Sequence, residues 1–222
     1  MIKRATLPSA HRDHEDVFDV AEYFSEHFHE FRPDFDRSLN KNLKWRASFP
    51  SDLKNSLGDL LPIITDNLPS YDRRSLTDNT VACCCLHYAL PKLWEDKGIS
   101  RIREAREQIR RGRSDSRDED LVDFISEIMN RFPFSLPSGG HSTTGASFHV
   151  PQTIYDMIYG LAKELGMGIS DLAAMAFMLA VSRASAGISS KKQEKFSERV
   201  DFFLYRAICM ADMVRAGLRR AL

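Results

Sequence analysis

The run LAAMAFMLAV, Leu172 to Val181, limits what this chain can fold into more than any other stretch. Wound as a helix it presents apolar groups on every side, and a helix apolar all round must be buried all round. Its start supports a helix, with Ser170 as a good N-cap and Asp171 placed to suit the positive end of the dipole. Just before it, Ile154, Met157, Ile158, Leu161, Ala162 and Leu165 share one face at helical spacing. Gly166 then falls where a helix end favours a left-handed residue. These features predict helices over about 152–165 and 170–184. The first of them cannot by itself enclose the second.

The segment GASFHV, upstream of both, alternates polar and apolar residues from Ala146 to Val150 and suits a short strand. An isolated strand leaves its backbone N–H and C=O groups without a ladder. No second strand and no internal repeat are evident from the residues alone. The partner is therefore expected on another copy of the chain, which would also cover the apolar helix.

Strand followed by FHVPQTIYDMIYGLAKELGMGISDLAAMAF resembles the ribbon-helix-helix family of Arc- and MetJ-type repressors. Phe148 and Val150, Pro151, Ile154 with Ile158 and Leu161, Gly166, Met167 and Ser170 stand at the family's pattern positions. The resemblance covers about 143–184. It implies an antiparallel ribbon formed between two chains, with Phe148, Val150, Ile158, Leu161, Leu172, Met175, Ala176 and Leu179 in a dimer core. It also implies that Gly145, Ser147 and His149, on the outward side of the pleat, contact bases in the major groove of double-stranded DNA. Backbone N–H groups of Gly168, Ile169 and Ser170 would meet a phosphate. The strand departs from the family in carrying no arginine or lysine on that outward side.

The rest of the chain reads as mainly α. Phe18, Ala21, Phe24, Phe28 and Phe31 form an aromatic stripe, and Pro33 follows it. After a polar stretch, Ser51 opens a helix with Leu53, Leu57, Leu60 and Leu61 on one face, stopped or kinked by Pro62. Thr77 or Asp78 opens the next, bent by Pro91 and ended by Gly98; Ser100 caps an arginine-rich helix, and Asp118 opens one reaching Phe132. The expected organisation is an all-helical domain over 1–132, a flexible linker at 133–145, the ribbon-helix-helix module at 146–184 and a basic amphipathic helix over 185–222. The fold class expected is a helical N-terminal bundle plus a ribbon-helix-helix dimerisation module with an extra C-terminal helix.

Thirty-one basic residues balance thirty-one acidic ones, so any surface for nucleic acid must be local. Two segments carry a basic surplus, one around Arg101 to Arg117 and one from Lys191 to Arg220. Each reads either as a phosphate-binding face or as a helix side laced with ion pairs, such as Arg103 with Glu107. Cys83, Cys84 and Cys85 are consecutive, which suits small buried residues and not a zinc site. His11 with His14 and His27 with His29 lack the helical spacing of a zinc protease. No metal, cofactor, catalytic residue or enzymatic activity is expected. No apolar stretch approaches the roughly 18 residues that cross a bilayer, and a cytoplasmic location without a membrane partner is expected.

The function expected is that of a homodimeric DNA-binding protein, a transcriptional regulator or a plasmid or mobile-element accessory factor, with dimers assembling further on DNA. Its N-terminal part would recruit or sense a partner protein. The alternative is a helical scaffold or adaptor in which the ribbon-helix-helix segment only dimerises the chain.

Overall fold

The computed structural model describes residues 17–31, 43–67, 77–115, 123 and 143–221. It is mainly helical. Helix α1 spans Val20–Phe31, strand β1 Leu43–Pro50, helix α2 Ser51–Asn67, α3 Asp78–Glu95 and α4 Lys97–Asp115. Strand β2 spans Thr143–Val150 and is followed by α5 at Gln152–Leu165, α6 at Ile169–Arg183 and α7 at Ser190–Ala221. No single described helix is long and apolar enough to cross a membrane.

The partner of β2 lies in its own chain. β1 and β2 form a two-stranded antiparallel sheet whose register runs from Leu43 opposite Val150 to Pro50 opposite Thr143. The expectation of a ribbon shared between two chains is therefore corrected. The backbone groups that would have required a second molecule are satisfied by Leu43–Pro50, a segment assigned above to a polar stretch of an all-helical domain.

The expectation that the chain has no internal repeat is corrected as well. Strand, helix and helix occur twice in the same order, as β1–α2–α3 and β2–α5–α6. Pro50 stands before α2 as Pro151 stands before α5. In α2 the buried large apolar positions are Leu53, Leu57, Leu60 and Ile64; in α5, at one constant offset along the chain, they are Ile154, Ile158, Leu161 and Leu165, while Ser56 and Ala162 are buried without a buried counterpart. Helical spacing on one face makes each helix amphipathic, so each lays the same side on the core.

The second helices of the two units are both enclosed. Every residue from Val81 to Leu86 in α3 and from Leu172 to Val181 in α6 is buried. They pack on each other, and α2 and α5 each touch both. The units are interlocked: α3 reaches β2, and α6 reaches β1. The demand of the apolar run is thus met by a second helix of the same kind within one chain. Phe148, Val150, Ile158, Leu161, Leu172, Met175, Ala176 and Leu179, expected in a dimer core, belong instead to this intrachain core.

Local chemistry sets the boundaries. Gly166 ends α5 with φ +66°, the left-handed cap foreseen, and the Met167 N–H donates to the Ala162 carbonyl at 2.9 Å. The N-cap of α6 is Gly168, not Ser170, so the helix begins at Ile169. At the start of α4 the cap is Asp96, not Ser100: its Oδ1 accepts from the N–H groups of Gly98 and Ile99 at 2.7 and 3.1 Å. Helix α2 runs through Pro62, which is exposed, as is Gly58 four residues earlier, whose carbonyl loses its helical donor. The helix expected from Asp118 to Phe132 lies outside the described residues, Asp123 aside. Of the expected linker at 133–145, Thr143 to Gly145 belong to β2 and the remainder lies outside the described residues.

The segment leading into α1 is held at Phe18. The Phe18 N–H donates to the Arg183 carbonyl at 2.7 Å and the Ser185 N–H donates to the Phe18 carbonyl at 2.9 Å, a bridge that ties the start of the described chain to the end of α6. The Phe18 ring stacks on Tyr88 of α3 with centroids 3.9 Å apart.

Candidate nucleic-acid interface

The pleat of β2 is read directly from exposure. Gly145, Ser147 and His149 are exposed, while Phe148 and Val150 are 6% and 0% exposed. Phe148 points at Phe177 of α6, with centroids 5.7 Å apart, so the inward side is anchored in the core. The three residues foreseen as a reading face do share one face.

Cross-strand partners in an antiparallel pair occupy the same face of the sheet. The register sets Lys44 opposite His149, Arg46 opposite Ser147 and Ser48 opposite Gly145. The face therefore has six positions, and β1 brings to it the two basic residues that β2 lacks. Sequence reasoning missed Lys44, Arg46 and Ser48. Their signal was present in LKWRASFP, where Leu43, Trp45, Ala47 and Phe49 alternate with Lys44, Arg46 and Ser48.

The ribbon is braced along the outer edge of β2. Asn79, in the first turn of α3, hydrogen-bonds the backbone of His149, and the Cys83 thiol donates weakly to the same carbonyl at 3.6 Å. Burial pushes the Cys83 thiol up to about 12 and raises Cys84 and Cys85 also. These thiols stay protonated and behave as small core groups.

Gly168, Ile169 and Ser170 do stand at a helix N-terminus, with Gly168 exposed and the other two half-buried. The Asp171 carboxylate already lies there: a Cβ on Gly168 would sit 3.2 Å from its Oδ2. That carboxylate satisfies the positive end of the dipole and opposes a phosphate at this spot.

Most of the described basic side chains on the two basic helices are engaged within the chain, with Arg101 and Lys191 exposed and outside those contacts. In α4, Arg103 pairs with Glu164 at 2.6 Å and its guanidinium lies over the Trp94 ring at 4.1 Å. Arg110 donates to the Lys163 carbonyl at 3.4 Å, and Arg111 pairs with Glu107 at 3.2 Å. Arg106 is buried against Gly166. Three arginines of α4 thus grip the carbonyl end of α5, where a helix dipole favours cations. In α7, Lys192 pairs with Asp59 at 2.9 Å, while Lys195 and Arg199 reach Asp52 at 2.6 and 3.5 Å. Burial alone would raise Asp52, but the Lys195 hydrogen bond and the Arg199 charge outweigh it and hold the carboxyl below its ordinary value.

A second polar cluster, unforeseen from the sequence, joins α1 to α3. Glu30 accepts from His87 Nε2 at 3.2 Å and from His27 Nδ1 at 2.8 Å. With its Nε2 proton committed to Glu30, neutral His87 accepts at Nδ1 from the Tyr23 hydroxyl at 2.8 Å. Burial raises Tyr23 and lowers His87, so both stay neutral near pH 7. Among the described residues no group of His, Cys, Asp and Glu side chains is arranged to hold a metal ion. No protein-family model, curated protein or solved structure matches this chain.

Proposed function

We propose that this chain binds double-stranded DNA as an intramolecular ribbon-helix-helix pair, with the β1–β2 ribbon entering the major groove. One observation carries the reading: the register sets Lys44 and Arg46 opposite His149 and Ser147, the two exposed β2 residues that face outward beside Gly145. A two-stranded ribbon fits the major groove of B-form DNA, and arginine or lysine donors match guanine O6 and N7. The interlocked helices behind it, α3 and α6, supply a rigid support. Such a protein acts as a transcriptional regulator or as an accessory factor on a plasmid or mobile element.

Fluorescence anisotropy with a random-sequence duplex, followed by a salt titration, tests the reading. Affinity should fall steeply as salt rises, because contacts to phosphates release counterions. Lys44→Ala with Arg46→Ala, and separately Ser147→Ala with His149→Ala, should each weaken binding. No binding at low salt, or binding indifferent to both pairs of changes, rejects it.

A scaffold or adaptor role is the second reading. It is favoured by the basic residues of α4 and α7, which are drawn into intrachain ion pairs. A protein partner retained equally with and without DNase treatment would support it.

A further inference from the structure

We infer that the ribbon reads a directional, non-palindromic DNA site, one chain to each site. This rests on the DNA-binding reading above and adds the class of sequence recognised. A ribbon made by two identical chains has identical ends by symmetry, so it reads a site whose halves repeat each other. Here the two strands occupy related places but carry different residues. The constant offset that matches Pro50 with Pro151 also matches position 44 with 145, 46 with 147 and 48 with 149. Lysine is thereby matched with glycine, arginine with serine and serine with histidine.

The register turns those mismatches into a polarity. Lys44 and His149 lie opposite each other at one end of the face that bears Gly145, Ser147 and His149. Arg46 and Ser147 hold the middle, and Ser48 and Gly145 the far end. One end is long and rich in donors. The other is short, uncharged and, at Gly145, open, since nothing among the described residues lies within 4 Å of where a Cβ would be. From position 44 to 48 a strand advances roughly 13 Å, about four base pairs of duplex. Guanine preference is therefore concentrated at the Lys44–His149 end and in the middle, and the Ser48–Gly145 end admits close approach of the groove floor with weaker base choice. Both strands of the ribbon come from one polypeptide, so a single chain fills one such site.

The test is selection of full-length protein on a random duplex library, followed by titration of the enriched duplex and of two palindromes, each built by repeating one of its halves. An asymmetric motif, with the parent duplex bound at least tenfold tighter than either palindrome and at one chain per duplex, is the expected result. Lys44→Ala and His149→Ala should relax preference at the same end of the motif by about tenfold, while Ser48→Ala should change preference at the other end by only about twofold. Far-UV circular dichroism of each variant separates lost recognition from lost folding, and the His149 side chain is exposed, so its truncation spares the core. A palindromic motif, or relaxation by Lys44→Ala and His149→Ala at opposite ends, overturns the inference while leaving DNA binding standing. Recovery of no duplex at low salt overturns both together.

Discussion

The side-chain amide of Asn79 closes a pair of hydrogen bonds on the backbone of His149. The His149 N–H donates to Oδ1 at 2.6 Å, and Nδ2 donates to the His149 carbonyl at 2.7 Å. The amide thus occupies the edge of β2 that faces away from β1, as a third strand would. Through it α3, in one unit, fixes the height and tilt of a strand in the other.

Asn79→Ala removes both bonds and should destabilise the fold by about 1–3 kcal/mol, the usual cost of stranding polar groups. Asn79→Asp should be no better, because a carboxylate oxygen replaces the donor facing the His149 carbonyl. Urea denaturation monitored by circular dichroism measures both. A loss below about 0.5 kcal/mol for either variant would mean that water replaces the amide.

Gly166→Ala meets two separate penalties. Its φ of +66° costs an L residue about 1–2 kcal/mol, and a Cβ would lie only 2.1 Å from Nη1 of the buried Arg106 guanidinium. The expected outcome is a marked drop in melting temperature. Adding Arg106→Ala should relieve the collision but not the backbone cost, so the double variant should be more stable than the sum of the two single losses implies. Strict additivity in that cycle would show that α4 and the end of α5 are not coupled.

Acid should loosen α1. Burial, partly offset by Glu30, holds His87 below the ordinary histidine value of 6.5, so the folded state favours the neutral ring. The stability this gives is complete above about pH 6.5 and is lost as pH falls below it. Glu30 is lowered chiefly by its hydrogen bond from His27, and its contribution likewise disappears as pH falls through its depressed value. Both groups act in the same sense. Between pH 7.5 and 5 it is His87 that titrates, so the amide protection factors of α1 should fall across that range, and His87→Gln should blunt the fall. Equal protection of α1 at both values would refute the coupling.

Much of the helical layout was legible from spacing. The apolar face of α5, the left-handed glycine at its end and the all-round burial of α6 follow from periodicity and turn chemistry, which act over a few residues. The need for a partner strand and a partner helix was legible as well. Their location was not legible, since Trp45 and Phe148 pair across about a hundred residues of sequence and pairing leaves no local mark. The strand β1 was passed over because Lys44, Arg46 and Ser48 made its neighbourhood look merely polar, although those residues alternate with Leu43, Trp45, Ala47 and Phe49. The repeat was hidden for a similar reason. The positions of Leu53 and Ile154, or Val81 and Leu172, are matched in burial, yet few identities survive between them.

The Asp96 cap and the Asp171 carboxylate beside Gly168 show a finer limit. Several residues near a helix start are chemically able to cap it, and only the path of the chain decides which one is used. The ion pairs of Lys195 and Arg199 with Asp52 likewise depend on α7 lying across α2, which charge counts along the sequence do not reveal.

Leu43–Pro50 and Thr143–Val150 cannot drift apart when the protein is scarce, because one backbone joins them. A ribbon contributed by separate molecules dissolves on dilution, and its melting temperature climbs with concentration. Here closure is a property of each molecule alone, so a solitary copy in a cell carries the whole two-stranded face.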